Sequence, residues 1–252
     1  MDNSELFKVI FKRKSIRKYD MTSLPQEKLE QLQTFCKNVK RLEQGIKTEF
    51  SIGSDSDAKG LFAIKAPHYI SIYSELKEES MLNVGFIMQQ IDLYCSASGL
   101  GSCWLGVAKP KNIPKKKDGL EHIITLSFGT PSEPLYRTGP EQFKRSSLSE
   151  ITSIPDSEAL LEPVRLAPSA VNSQPWFFSG NSKEIIVSRK KLNIIKAQIY
   201  GRFNKIDIGI ALCHLWLSAE NLGYKIEFNF SDRAVPEGCE FMATAKLIDK
   251  NS

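Results

Sequence analysis

Apolar residues between Asn83 and Gly101 (NVGFIMQQIDLYCSASGLG) recur at spacings of three and four until glycines end the run. This pattern predicts a buried amphipathic helix. The segment Asp207–Tyr224 (DIGIALCHLWLSAENLGY) has the same design: a short polar residue, a β-branched residue, glycine, an apolar helix and a terminal glycine. Setting Gly85 against Gly209 also aligns Leu93 with Leu217 and Gly99 with Gly223, 124 positions apart and close to half the chain.

The flanks repeat more loosely. Ser23 and Asp156 are N-cap candidates for helices predicted over Pro25–Leu42 and Ser157–Leu166. Strands are predicted at His68–Tyr73 and Glu184–Ser188, then at His122–Phe128 in the first half and Tyr224–Phe230 and Phe241–Ile248 in the second. Any two buried helices share a periodicity, so coincidence is the alternative. The common glycine flanks and element order favour a repeat. The expectation is an α+β fold of two related halves, residues 1–150 and 151–252, packed about a pseudo-two-fold axis as in a fused dimer. The lysine-rich Lys109–Gly119 segment is expected to be a solvated loop, and the turn-rich Gly129–Arg145 stretch to connect the halves.

Composition narrows the class. Of the 252 residues, 41% are hydrophobic and 25% charged, which excludes disordered and collagen-like readings. No apolar run approaches the ~18 residues of a membrane span. Acidic Asp2 and Glu5 precede the first apolar patch, the reverse of a signal peptide's order. A cytoplasmic protein with no membrane association is expected. A net charge of +5 is too mild to indicate nucleic acid unless the cations cluster. Five cysteines form no CxxC pair, and Cys36, Cys95 and Cys213 fall in apolar helical patterns. They read as reduced core residues. His68, His122 and His214 have no metal-ligand spacing, so no metal site is expected.

Three segments carry candidate chemistry. In Phe11–Tyr19 (FKRKSIRKY), Arg13, Lys14, Ser15 and Arg17 offer guanidinium forks, an ammonium and a hydroxyl suited to a phosphate monoester. A nucleic-acid patch or a solvated helix end are the alternatives. In Arg165–Phe178 (RLAPSAVNSQPWFF), two prolines and a run of short polar side chains adjoin three aromatics, which suggests a rigid loop presenting donors to a planar polar ligand. The alternative is a capped turn leading into a buried strand. Gly99–Gly106 (GLGSCWLG) lets backbone approach something flat, or is simply a glycine-stopped helix end. Cys103 beside Trp104 reads as a packed core thiol rather than a redox group.

Together, RKSIRKY, PSAVNSQPW and GLGSCWLG resemble motifs of the FMN-dependent nitroreductase family. In most members the SxNxQPW loop follows soon after the basic motif. Here it lies in the second half, which resembles the branch in which one chain holds two related halves. The resemblance implies an α+β sandwich binding FMN. Arg13, Lys14, Ser15 and Arg17 would grip the phosphate, ribityl chain and N1/O2 edge. Pro168, Ser169, Asn172 and Gln174 would come from across the interface, and Leu105 and Gly106 would face the N5/O4 side. Lys144 and Arg145, after Phe143, would add cations at the phosphate, although Ser146 stands where the family often has proline.

The implied activity is NAD(P)H-dependent reduction of a small electron acceptor such as a nitroaromatic or quinone, with hydride passing through flavin N5. Arg17 would stabilise charge at N1/O2 electrostatically. A flavin-binding sensor or carrier without efficient turnover is the first alternative, and a basic nucleic-acid binder the second. The basic motif occurs only in the first half and the Pro-Ser-Asn-Gln loop only in the second. One FMN per chain is therefore expected, with a monomer sufficient to form the site.

Overall fold

The computed structural model describes residues 1–54, 58–59, 64–106, 109–110, 113–191 and 194–250. The chain divides into two compact units, one formed by Lys12–Pro140 and the other by Met1–Phe11 together with Glu141–Ser252. This division differs from an expected break at residue 150. The N-terminal helix α1 (Asn3–Ile10) belongs with the C-terminal unit, where it packs on the long helix of that unit. A capping box starts α1: the Glu5 N–H donates to Asp2 Oδ1 at 2.9 Å and the Asp2 N–H to Glu5 Oε2 at 2.9 Å.

The Lys12–Pro140 unit runs α2 (Gln26–Asn38), β1 (Thr48–Gly53), β2 (Ala58–Lys59), β3 (His68–Ser74), α3 (Ser80–Ala97), β4 (Gly101–Leu105), β5 (Lys109–Pro110), β6 (Lys116–Lys117) and β7 (Leu120–Gly129). Its main sheet has the order β1-β3-β7-β4, with β6 on β7, and every pairing is antiparallel. Strand β3 is buried along its whole length, as is nearly all of α3. Burying one Leu or Ile side chain contributes roughly 1.5–3 kcal/mol, so these two elements form the centre of the unit's core. Polar residues of α3 are buried too, and they hold the loop after α2. Asn83 Oδ1 accepts the N–H groups of Leu42 (2.9 Å) and Glu43 (3.2 Å), and the Gln90 side chain both accepts from and donates to Lys40 backbone.

The remaining unit continues from α1 with α4 (Leu148–Ile151), α5 (Glu158–Arg165), β8 (Trp176–Gly180), β9 (Glu184–Lys190), α6 (Ile194–Asn221), β10 (Tyr224–Asn229) and β11 (Cys239–Asp249). Its antiparallel sheet has the order β10-β11-β9-β8. Helix α5 packs on α6, where His214 Nδ1 lies 2.7 Å from the carbonyl of Pro163, and Ser218 donates to the Ala159 carbonyl.

Each unit thus follows the sequence helix, two strands, long helix, two strands. If the four main strands of each are lettered in chain order, both sheets read A-B-D-C. The long helices α3 and α6 end at Ala97 and Asn221, and each is followed by a left-handed glycine, Gly99 (φ 76°) and Gly223 (φ 87°). A glycine there reverses the chain without the Cβ clash other residues meet.

Several local expectations are corrected. Helix α2 begins after Pro25, and Ser23 does not cap it. Ser157 precedes α5, while Asp156 sits in the turn with φ 50°. Strand β4 occupies the GLGSCWLG segment expected to be a helix end, and Trp176–Gly180 is a strand in its own right. Within Lys109–Gly119, residues 111–112 lie outside the described residues. Lys116–Lys117 pair with Leu120–Glu121 through a turn at Asp118 (φ 49°) and Gly119 (φ 81°), a hairpin geometry rather than an open loop. Among the described residues, no helix is long and apolar enough to cross a membrane.

Candidate functional site

In the Lys12–Pro140 unit, the basic segment lies alongside residues 130–137 and the edge of β4. Ile16 donates its N–H to the Ser102 carbonyl at 2.9 Å, Ser132 to Lys18 at 3.0 Å and Arg137 to Lys12 at 2.7 Å. A Cβ at Gly101 would fall 2.7 Å from the Ile16 side chain, so glycine is what lets the segment approach β4 this closely. Glu133 secures the middle of the segment by accepting the N–H groups of Arg17 (2.8 Å) and Lys18 (3.1 Å), and it pairs with Lys14 at 3.7 Å. The Arg17 amide first of all, and the neighbouring lysines, hold the Glu133 carboxyl below the usual carboxylate range.

The candidate cations Arg13, Lys14 and Arg17 and the Ser15 hydroxyl are not equivalent. Arg13 is only 1% exposed and forms an ion pair with fully buried Asp92 of α3 at 3.1 Å; it also donates to Ser15 Oγ at 3.2 Å. Ser102 of β4 donates to the other Asp92 oxygen at 2.6 Å. Arg137 donates to the Arg13 carbonyl, and burial, with the Arg13 charge behind it, lowers its pKa to about 10. Arg13 therefore fastens the segment to α3 and presents almost no surface to a ligand. Lys14 is partly buried and forms an ion pair with Glu133 at 3.7 Å. Arg17 is exposed, and its guanidinium makes no hydrogen bond or ion pair among the described residues. Cys103 is buried, and burial pushes its thiol pKa up despite the opposing pull of Arg17 and Arg13. Leu105 ends β4 in the core, and Gly106 follows it at the surface.

In the other unit, the segment 144–146 and the loop 167–175 are knitted together. Arg145 donates from Nε to the Ala167 carbonyl (3.0 Å), from one terminal nitrogen to the Leu166 carbonyl (3.4 Å) and from the other to Asn172 Oδ1. The Asn172 amide donates back to the Lys144 carbonyl at 2.8 Å, and Gln174 Oε1 accepts the Ser146 N–H at 2.8 Å. Ser169 Oγ accepts the Gln174 N–H at 2.9 Å. Val171, Asn172 and Gln174 all have positive φ, between 46° and 57°. Left-handed backbone costs an L-residue about 1–2 kcal/mol, and a β-branched residue such as Val171 is rare there. The loop keeps this shape because so many contacts determine it. Beneath it, Asp207 of α6 accepts the Ala170 N–H at 2.9 Å and the Ser173 hydroxyl at 3.4 Å. Burial pushes Asp207 up to about 7, with the two hydrogen bonds opposing that shift.

This geometry revises the roles of the loop side chains. Asn172 and Gln174 are engaged within the loop, and Arg145 is its fastener rather than an open anion hook. Lys144 is exposed at its edge, and Pro168 and Ser169 are half-buried. The structure brings Lys144, Arg145, Ser169, Asn172 and Gln174 together in one unit. In the other it brings Arg13, Lys14, Ser15 and Arg17 beside β4, which carries Leu105 and leads into Gly106. Asp92, Glu133 and Asp207 hold these segments without appearing in any of the three motifs, and Ser102 does so from within GLGSCWLG. Asp207 had one sequence signal: it aligns with Asn83 in the repeat.

A family model described as "Putative TM nitroreductase" matches residues 5–219. The chain belongs to this nitroreductase family. The family's general chemistry is oxidoreduction. A crystal structure described as a "putative nitroreductase" from Thermotoga maritima MSB8 is similar over 99% of this chain and 96% of that one, with a TM-score of 0.65 and 22% identity. That likeness places the whole chain in the nitroreductase fold. A nitroreductase family protein from Clostridium difficile 630 matches 60% of this chain and 96% of its own, at 21% identity and a TM-score of 0.47. An FMN-dependent nitroreductase from Clostridium difficile R20291 matches 58% of this chain and 100% of its own, at 16% identity and a TM-score of 0.43. A search of curated proteins gave no match. For this member of the nitroreductase family, the mixed helix-and-sheet architecture expected from the pattern holds in both units.

Proposed function

We propose that this nitroreductase-family chain binds FMN and transfers hydride from NADH or NADPH to a small electron acceptor such as a nitroaromatic or quinone. The observation that carries the reading is the loop 168–175, in which three non-glycine residues are kept left-handed beside the exposed ammonium of Lys144. Stored strain of this kind marks ligand clamps more often than plain connections. Each unit on its own offers groups that suit a flavin mononucleotide: the exposed cation of Arg17 and the hydroxyl of Ser15 in the Lys12–Pro140 unit, and the exposed cation of Lys144 beside the constrained loop in the other. Bound FMN would supply the two-electron chemistry, accepting hydride at N5.

The chain's own groups bind and orient. Lys144 would offer charge to the phosphate, with Lys14 sharing its charge with Glu133. Ser15, whose Oγ accepts from the Arg13 guanidinium, would donate its hydroxyl proton to the ligand. Arg17 would place a cation where reduction develops negative charge on the N1/O2 edge. Pro168, Ser169, Asn172 and Gln174 would form the shaped wall, and Leu105 with Gly106 would meet the N5/O4 edge. Each wall occurs once in the sequence, so we expect one FMN per chain, with a single chain sufficient.

Replacing Arg17 by alanine tests the electrostatic part. Loss of a charge-assisted contact worth about 1.5–3 kcal/mol should weaken FMN binding by about one to two decades and lower the flavin's potential. Fluorescence titration and spectroelectrochemistry read both quantities. Unchanged affinity and potential would remove Arg17 from the site.

A further inference from the structure

The repeat places Asp207 of α6 where α3 has Asn83, and both side chains do the same work in their own units. Asn83 Oδ1 accepts two backbone N–H groups, from Leu42 and Glu43, in the loop following α2. Asp207 accepts the backbone N–H of Ala170 and the hydroxyl of Ser173 in the loop following α5. The long helix of each unit thus carries, at the aligned position, a buried oxygen-bearing side chain that organises the loop beside it. The two differ in what is organised. Ala170 and Ser173 flank Val171 and Asn172, the adjacent pair with φ of 48° and 57°. Asp207 therefore spans the strained pair and grips the chain on both sides of it. Its side chain is almost wholly buried, with the residue 3% exposed.

We infer that Asp207 is a positioning residue that clamps the 170–173 turn and thereby presents the loop 168–175 in its ligand-ready shape. The clamp needs two hydrogen-bonding positions, one for each side of the turn. At Asn83 a single amide oxygen takes both donors, and its amide nitrogen is buried without a hydrogen-bond partner among the described residues. At Asp207 the donors fall on different oxygens, one a main-chain N–H and the other a hydroxyl. An asparagine there would keep the Ala170 bond through its oxygen and could donate to Ser173 Oγ, because a hydroxyl both donates and accepts. An alanine would leave the Ala170 N–H without its buried acceptor. The consequence for the ligand rests on the proposed flavin function; the claim about the loop does not.

The test is hydrogen–deuterium exchange of the full chain, with and without added FMN, followed by FMN titration. Asp207→Ala should speed exchange at residues 170–174 by about tenfold or more, and weaken FMN binding by a similar factor. Exchange in the C-terminal part of α6 should stay as in the parent. Asp207→Asn should restore both loop exchange and affinity to within about threefold of the parent. Ser173→Ala, which leaves the buried carboxylate in place, should raise loop exchange to an intermediate level and serves if the alanine variant of Asp207 does not fold. Parent-like loop exchange in Asp207→Ala or in Ser173→Ala would overturn the clamp. So would an asparagine variant as loose as the alanine one. A parent chain that does not bind FMN would instead reject the proposed function, while the exchange data would still decide the role of Asp207.

Discussion

Replacing Asp92 by alanine is expected to destabilise the Lys12–Pro140 unit by about 3–5 kcal/mol, the usual effect of removing one partner from a buried ion pair. The carboxylate is fully buried, 3.1 Å from the guanidinium of Arg13, which is itself 1% exposed. Without it, Arg13 keeps its charge in a dry setting, with a second guanidinium, that of Arg137, bonded to its carbonyl. Ser102 also loses its acceptor. Against a typical total stability of about 5–15 kcal/mol, the denaturant midpoint should fall steeply. Replacing both partners, Asp92→Leu with Arg13→Met, should recover much of the loss, because the desolvation penalty disappears along with the attraction. Equal midpoints for the parent and Asp92→Ala would show that the pair does not fasten the basic segment.

The second large effect is expected on the ligand loop. Arg145→Ala removes the bonds to the carbonyls of Ala167 and Leu166 and to the Asn172 side chain. A hydrogen bond from a charged donor contributes about 1.5–3 kcal/mol, comparable with the strain of the left-handed residues it opposes. FMN affinity should therefore fall by about 10- to 100-fold, with a smaller change in global stability. Arg145→Lys should not restore it, since an ammonium lacks the planar fork that reaches several acceptors at once. Full recovery with lysine would show that charge alone matters at this position.

The elements that the hydrophobic pattern predicted best are those with long, uninterrupted periodicity. Helix α3 and the strands His68–Ser74, Leu120–Gly129 and Tyr224–Asn229 lie close to where the pattern put them, whereas α6 starts at Ile194, well before the Asp207 at which the pattern began it. Helix starts were less legible, because Ser23 and Asp156 have the right side chains for caps but sit in turns one or two residues too early. Strand β4 was hidden by the glycines at its start: Gly99 reverses the chain after α3 as the pattern expects, whereas Gly101 allows the close approach to Ile16. α1 was missed although its capping box is visible in the sequence as Asp2 and Glu5.

At the candidate site, the motifs located the segments but not the work of each side chain. Arg13 reads as an anion hook until Asp92, 79 positions later, is placed beside it. Arg145 and Asn172 read as ligand donors until their mutual bonds appear. Such pairings depend on register between distant segments, which composition and spacing do not encode. Asp207 was accessible in principle, because the internal alignment sets it against Asn83, and both hold a loop.

The most direct test of the proposed function is anaerobic titration of the purified chain with FMN, followed by NADH or NADPH, while the flavin absorbance is recorded. Saturation at one FMN per chain, no comparable binding of FAD, and loss of the oxidised flavin band on adding a nicotinamide donor, with recovery on adding a nitroaromatic or quinone, is the predicted result. A chain that binds no FMN, or that holds it without any loss of the oxidised band when NADH and NADPH are added, would contradict the account.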